Sequence, residues 1–508
     1  MKSFFQEKLF CRIFHVLAMV MYVLLFAFCL GLTGENRSLD EHIILKKDFV
    51  VLNAFWICAA LVCLFHVGKL SDRIQSRKGW NRLLGGVCAL SALAGFLWVF
   101  ASKTVPGADQ LIVCRYADAF NSGEITMLDR KEYVVLYPYQ LGVITVLRGV
   151  FSIFGPGNYQ AFQYLTAALV PLLVFSGCQI VRILSCENRR AELYYLLFIF
   201  FCFPMYAYTS FVYGDLISII FGLCAVWMYL ACLKQFSWWQ AVLSGVLMGM
   251  AVQLRAAMII LCLALLITGG IKLLFHRNRK YVIAMALLVL GVALMRQAVR
   301  GLYSDVMPEK ASSIPTFLTI VMGLNDDNGW GGWHNGYDQQ TFLAFDCDEE
   351  QAQKQAYQDF QDYLAGYRKN PGSMASFFIR KMNNQWNAPM YQSTIMNSES
   401  DGQRPVLLES LFQEGKAAKL VTFGMKLYQL LLYGSILFLL VRKRKDFDRM
   451  EEYALLAAVF GGFLFTLVWE AKTRYALPYL FMQIPYMAMG VNEISLFLEK
   501  WLKKTGKK

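Results

Sequence analysis

What most constrains this chain is a succession of long apolar runs, the first of them "IFHVLAMVMYVLLFAFCLGL" at 13–32. About 20 such residues cross a hydrocarbon core as a helix. Further runs lie near 50–67, 84–101, 161–183, 191–209, 214–233, 238–254, 256–275, 281–299, 421–441, 450–470 and 474–495. With 57% of its 508 residues hydrophobic and 17% charged, the chain lacks the charge to cover a soluble surface. A membrane β-barrel is excluded, because its strands alternate polar and apolar residues and these runs do not. The expectation is an all-α polytopic membrane protein of about twelve transmembrane helices.

Orientation is read from Lys and Arg, which concentrate in short cytoplasmic loops. The clusters are Lys2, Lys8 and Arg12; Lys69, Arg73, Arg77, Lys78 and Arg82; Arg182, Arg189 and Arg190; "HRNRK" at 276–280; "RKRK" at 442–445; and the lysine-rich tail. All fall on one side provided that 140–155, "QLGVITVLRGVFSIFG", does not cross. That segment is short and carries Arg148, so it reads as a juxtamembrane helix lying in the interface. Both termini are then cytoplasmic, and 102–160 and 301–420 are external. The net charge of +13 becomes a topology signal rather than a nucleic-acid footprint. The larger external segment is expected to hold short helices, as around "DEEQAQKQAYQDFQDYLAGY". The first run is too long for a signal core and reads as an uncleaved anchor. Compact cytoplasmic loops lean toward a bacterial plasma membrane, where "NRS" at 36–38 would carry no glycan. Thirteen cysteines lack metal-ligand spacing and mostly sit in apolar runs, where packing is the simple reading. Cys114 and Cys347 fall in the external segments, and a disulfide between them is the less favoured reading.

On this topology "WEAKTRY" at 469–475 faces outside, so the positive-inside rule does not account for Lys472 and Arg474. Arg255, in "MAVQLRAAMII", also ends a helix on that side. Either Glu470 pairs with Lys472 or Arg474, or both of these cations snorkel to lipid headgroups, or the external-edge arginines hold an anion at the outer interface. The planar guanidinium fork suits phosphate. In "VPGADQLIVCRYADAF", Asp109 shares a helical face with Val113 and Tyr116, with Asp118 turned largely elsewhere. Asp109 is either a helix N-cap or a general base whose partial desolvation would raise its pKa. Tyr137-Pro138 forms a rigid entry leading to Gln140, and Asp215 sits at an outer helix edge. "GLNDDNGWGGWHNGYD" at 323–338 gathers Trp330, Trp333, His334 and several carboxylates, a composition suited to sugar faces and hydroxyls. A calcium loop or a Trp-anchored loop resting on the membrane competes with that reading, although Asp326, Asp327 and Asn328 lack EF-hand spacing.

In order along the chain come helix 84–101, Asp109 in "PGADQ", the noncrossing 140–155, six crossings from 161 to 299 and the lobe 301–420. This arrangement resembles the GT-C superfold of membrane glycosyltransferases that use polyprenyl-phosphate sugars. The branch of protein O-mannosyltransferases and aminoarabinose transferases, glycosyltransferase family 39-like, is the one it looks like most. The resemblance implies two additional helices at 1–83, a catalytic core at 84–300, an external domain at 301–420, and C-terminal helices with a basic tail at 421–508. It implies that Asp109 takes the catalytic acidic position, although relatives often show Asp-Glu where this chain has Asp109-Gln110. It further implies that Tyr137-Pro138 and Gln140 enter the second juxtamembrane helix, and that Glu470 and Arg474-Tyr475 match a late acidic-then-Arg-Tyr element. Arg474 would then contact the lipid-linked phosphate, with Lys472 and Arg255 assisting and Glu470 orienting the arginine.

The reaction expected from these residues is inverting transfer of a sugar from a polyprenyl-phosphate donor to a hydroxyl of a glycan, lipid or protein acceptor on the external face. No cofactor is required, and no ligand cluster calls for a divalent metal. No P-loop or Rossmann fingerprint occurs, in keeping with a donor that arrives on lipid. The rivals are a flippase or transporter for a lipid-linked glycan, and a noncatalytic cell-envelope assembly protein. Transporters often show paired repeats and broken midplane helices, which the sequence does not display.

Overall fold

The structure, a computed structural model, describes residues 2–505 except 38, 39, 75, 311, 327, 328, 445 and 446. Ser38 of "NRS", Asp327, Asn328, Lys445 and residues 506–508 of the basic tail therefore lie outside the described residues. Among the described residues, nine helices are long and apolar enough to cross a membrane, or ten if the bent pair Arg189–Phe200 and Phe203–Ser210 is one span. The twelve expected runs all fall on helices, but three depart from a simple crossing. The run at 191–209 bends by 52° just before Pro204, which lacks a backbone donor and crowds the preceding turn. Trp238–Leu254 has 17 residues, which at 1.5 Å per residue is about 26 Å, short of a ~30 Å core. Leu477–Thr505 is long enough, but Gln483, Asn492 and Glu493 dilute its hydropathy. Length and composition therefore give nine or ten spans rather than twelve. The segment expected not to cross is the 14-residue helix Leu141–Phe154, about 21 Å long.

The structure is not wholly helical. Leu32–Arg37 and Asp40–Lys47 form an antiparallel hairpin between the first two long helices. From Ile43 to Lys47 the side chains alternate between faces, so Ile43 and Leu45 turn together onto Trp333, Ala388 and Ala471. Gly34 N donates to Asn387 O at 2.8 Å, which fixes the hairpin on the lobe.

Leu477–Thr505 runs through the middle of the bundle, and every residue from Leu477 to Asn492 is buried. A helix apolar on all sides belongs inside. Its Gln483 is satisfied there by the Tyr22 hydroxyl, which donates to Oε1 at 2.9 Å. The outer helices pack more thinly and expose residues such as Val289, Leu290 and Leu294 to the space that lipid would fill. One outer contact is made backbone to backbone. A Cβ on Gly291 would lie 2.2 Å from the carbonyl carbon of Gly245, so Trp238–Leu254 and Arg279–Gly301 cross where neither has a side chain. Small residues allow such approach between membrane helices, where dispersion contacts replace the hydrophobic effect.

The two ends of the bundle differ in chemistry. At one end, basic residues are closed by carboxylates. Lys8 meets Asp448 at 3.1 Å, Lys272 meets Glu451 at 2.8 Å, and His276 meets Glu7 at 2.7 Å. Arg190 meets Glu499 at 2.7 Å, and Arg182 shares the buried Glu192 with the Trp80 indole. The opposite end carries the hairpin, 103–140, the 301–415 lobe and the joint at 469–475. Here the lobe docks through Lys381, on the helix Pro371–Trp386. Its buried amine donates to Gly323 O and, at 2.6 Å, to Trp469 O. Trp386 and Tyr391, farther along the lobe, belong to the main core of the bundle.

Gly291→Leu should force the two glycine-paired helices apart, an overpacking cost of about 1–3 kcal/mol. Thermal unfolding in detergent reads this as a lowered midpoint, and an unchanged midpoint contradicts the close crossing. Burial pushes the Lys381 amine down to about 7, against the pull of Glu470 and Asp326. Between that value and the ordinary 10.5, unfolding takes up a proton, so the folded state gains stability as pH rises through this window. Lys381→Met leaves two carbonyls without a donor, at about 1–3 kcal/mol apiece. Its deficit relative to the parent should widen from pH 7 to 9.5 (melting followed by tryptophan fluorescence). A deficit equal at both pH values contradicts the buried amine.

Candidate functional site

The joint between Ala454–Val468 and Leu477–Thr505 is held by its backbone. Ala471 N donates to Gly332 O at 2.7 Å, and Arg474 N donates to Gln392 Oε1 at 3.0 Å. The Thr473 hydroxyl donates to Asn384 O at 2.6 Å. Three lobe segments thus fix the chain on either side of Arg474, which is buried. Its guanidinium carbon lies 5.4 Å from the ring centres of Phe211 and Tyr213 and 5.9 Å from that of Tyr475. Among the described residues, the side chain makes one hydrogen bond, from Nη1 to Met396 Sδ at 3.8 Å, and thioether sulfur is a weak acceptor. Arg474 Nε is buried with no hydrogen-bond partner among them.

Arg255 shares the same walls, 5.1 Å from the Tyr475 ring centre and 5.8 Å from that of Tyr213. Its Nε lies 3.5 Å from Asp215 Oδ1, while Asp215 Oδ2 is buried without a hydrogen-bond partner among the described residues. Close backbone approach puts Arg255 there. A Cβ on Gly142 would fall 1.9 Å from Gln253 O, and one on Gly214 would fall 1.9 Å from Leu254 O. Larger residues at either position would push the end of Trp238–Leu254 out of the site.

Asp109 lies in the first turn of Ala108–Ser122 and is half-buried. The N-cap is Gly107, so the capping role considered for Asp109 falls to its neighbour. Burial pushes the hydroxyls of Tyr133, Tyr137 and Tyr213 above their ordinary range, and the Asp109 charge adds to the shift at all three. At Tyr213 the charges of Arg474 and Arg255 pull the other way. Asp109 and both arginines therefore act on one tyrosine. Gln140 Nε2 donates to that Tyr213 hydroxyl, and Tyr133 Oη lies 3.5 Å from it. Gln110 has its own work: Oε1 accepts from Val212 N at 2.8 Å and Nε2 donates to Met396 O at 3.1 Å. An amide donates and accepts at once, whereas an ionised carboxylate only accepts, which accounts for Gln beside Asp109 where a second acid might stand.

Glu470 accepts a hydrogen bond from the Tyr475 hydroxyl. Burial pushes its carboxyl up, but Lys472, His334, Tyr475 and Arg474 together hold it below its ordinary value. Glu470 thus orients Tyr475 directly, and its action on Arg474 is through charge. Tyr137 stands amid the fields of Asp338, Glu470 and Asp109. His334 is exposed above this cluster.

Other expected residues are engaged elsewhere. Asp118 Oδ1 accepts from Gly157 N at 2.8 Å and ties Ala108–Ser122 to the turn before Tyr159–Leu184. Trp333 is packed under the hairpin, so its ring offers no sugar platform. Trp330 exposes its ring, and its carbonyl accepts from Asn384. Asp326 pairs with Arg380 and accepts from Gly331 N at 2.9 Å, which shapes its own loop. Sequence reasoning missed Tyr213, Gln392, Asp338 and Lys381. The signal available was "KMNNQWNAPMYQS" at 381–393, a run of amides with few charges, most of it buried. In Asp338, burial and the Glu470 charge push the carboxyl up. Among the described residues, no group of three or more His, Cys, Asp or Glu side chains could hold a metal, and Cys114 and Cys347 are free.

In its fold the chain is similar to the Archaeoglobus fulgidus oligosaccharyltransferase in the apo form, with 13% identity and a TM-score of 0.46 over 83% of this chain and 52% of that one. It thus spans about half the length of that enzyme. It is also similar to ArnT from Cupriavidus metallidurans bound to undecaprenyl phosphate, with 13% identity and a TM-score of 0.36 over 82% of this chain and 78% of the other. Neither likeness is strong enough to carry a function across. No curated protein matches in sequence. A family model described as conserved hypothetical integral membrane protein matches residues 3–493. The chain therefore belongs to that family of integral membrane proteins.

Proposed function

We propose that the protein is a membrane glycosyltransferase that moves a sugar from a polyprenyl-phosphate donor to an acceptor hydroxyl, with inversion, at the lobe end of the bundle. The observation that carries this reading is the buried Arg474 guanidinium, which has no oxygen acceptor among the described residues and shares Tyr213 with Asp109. A buried cation is costly unless an anion completes it, and a phosphate does so with matching geometry. The lobe end is extracytoplasmic if the paired basic clusters at the other end follow the positive-inside rule.

In the reaction, Asp109 takes the proton of the acceptor hydroxyl as its oxygen attacks the anomeric carbon from the face opposite the phosphate. The bond from that carbon to the phosphate oxygen breaks, and its electron pair leaves with polyprenyl phosphate. Arg474 and Arg255 stabilise the charge that gathers on the leaving group in a site walled by Phe211, Tyr213 and Tyr475. Lys472 lies beside Glu470 and adds to the positive field. Tyr137 and Gln140 set the tyrosine wall, and Asp215 balances the arginine pair. Water is kept from the donor by the lobe segment 391–397, whose Gln392 and Met396 touch both the joint and Asp109's helix.

Purified protein with a panel of radiolabelled polyprenyl-phosphate sugars, scored for loss of label from lipid, tests this. Asp109→Asn should lower transfer by about 10²–10⁴-fold, the usual contribution of a general base. Arg474→Ala should raise the donor concentration needed for half-maximal rate more than that of the acceptor. Near-normal transfer by Asp109→Asn, or the reverse titration pattern for Arg474→Ala, contradicts the assignment.

A further inference from the structure

On the juxtamembrane helix Leu141–Phe154, Arg148 is half-buried and held in place by three residues. Its Nε donates to Asn121 Oδ1 at 3.1 Å, and Asn121 Nδ2 donates back to Arg148 O at 3.0 Å. Its guanidinium carbon stands 5.5 Å from the Phe120 ring centre and 5.3 Å from that of Tyr303, and these two rings meet at 4.9 Å. Tyr303 is anchored in turn by Thr145, whose hydroxyl lies 3.0 Å from its own. The cation thus has aromatic faces and one amide to fix its direction. These contacts use Nε. The terminal nitrogens Nη1 and Nη2 have no hydrogen-bond partner among the described residues and are not buried.

A guanidinium fixed at its inner nitrogen, with its outer edge unspent, suits the forked oxygens of a phosphate. Among the described residues Arg148 makes no ion pair. Nor does Arg300, an exposed residue whose carbonyl accepts from Tyr303 N at 3.2 Å. A zwitterionic headgroup would bring a cation of its own to this basic edge, whereas an anionic one brings none. The apolar part of the ligand is indicated by the same helix. It ends in Ile153 and Phe154, which leave 77% and 58% of their surfaces exposed. Apolar side chains bared at the end of a juxtamembrane helix meet acyl chains more favourably than water. Ile153 follows Arg148 by about 7.5 Å along the helix axis, so one lipid can touch both.

We propose that Arg148, seated on Phe120 and Tyr303, binds the phosphate of an anionic phospholipid, as in phosphatidylglycerol, at the lobe end of the bundle. Dissolved glycerol phosphate carries the same group without the chains, and the bare Ile153 and Phe154 favour the lipid. None of these residues takes part in the proposed reaction, so the inference stands apart from it.

The test is native mass spectrometry of the full chain released from nanodiscs holding equal amounts of phosphatidylglycerol and phosphatidylcholine. The readout is the ratio of the two in the species that retains a single lipid. Basic clusters at the other end also attract anionic lipid, so Lys504→Gln, which removes one exposed charge from the tail, is the control. Arg148→Gln should lower the ratio by about ten-fold, the worth of one charge-assisted hydrogen bond. Lys504→Gln should leave it nearly unchanged. Arg148→Lys keeps the charge but lacks the fork, and it should lower the ratio even if Arg148→Gln fails to fold. A ratio as high in Arg148→Lys as in the parent, or an equal fall in Lys504→Gln, overturns the proposal. Thermal stabilisation of the parent in phosphatidylcholine discs by dissolved glycerol phosphate, with none on adding phosphatidylglycerol, overturns the lipid assignment.

Discussion

A buried guanidinium that lacks an oxygen acceptor among the described residues is the constraint from which the lobe end of this protein follows. Arg474 cannot shed its proton, and removing a full charge from water is costly unless something compensates. Here compensation is partial: aromatic faces from Phe211, Tyr213 and Tyr475, the field of Asp215, and one thioether. The surroundings are nonetheless rigid. The joint is tied to Gly332, Asn384 and Gln392, and Lys381 pins its first carbonyl. On the proposed function this cation, held still while left incompletely satisfied, is prepared for an anionic ligand, and preorganisation of this kind lowers the cost of binding.

The contrast between the two ends supports the same conclusion. At the basic end the cations have carboxylate partners within 2.7–3.1 Å in pairs such as Arg190–Glu499, Lys272–Glu451 and Lys8–Asp448. At the lobe end two arginines divide one aspartate. The lobe end closes pairs as well, Lys131 with Asp346 at 2.7 Å among them, so the incompletely paired arginines beside a row of tyrosines are what support the proposed place of the chemistry.

Much of this could be read from the sequence because the bilayer leaves few options. Apolar length alone marks helices, and the bend at Pro204 and the short Trp238–Leu254 are where length and proline chemistry blur the count. The charges of the joint stood out because nothing in topology required them. The hairpin at 32–47 was harder to see. Its stability comes from Trp333, Ala388 and Ala471, residues hundreds of positions away, and local pattern carries no trace of them. The same limit explains Trp333, whose ring looked suited to a sugar until Ile43 covered it. Tyr213 was overlooked because one tyrosine in an aromatic stretch has no distinctive spacing, and only packing brings Asp109, Arg255 and Arg474 to it. Gln110 shows the reverse case: a departure from the pattern of the family the sequence resembles, which the hydrogen bonds to Val212 and Met396 make intelligible.

The central claim is that Arg474 awaits a lipid-borne phosphate, and a comparison of two lipids differing only in that group tests it most directly. Polyprenyl phosphate and the corresponding polyprenol, each titrated into purified protein, would be followed by the shift in melting temperature. The account predicts stabilisation by the phosphate alone, falling steeply in Arg474→Ala. Equal stabilisation by the phosphate-free alcohol, or a response indifferent to Arg474, would contradict it.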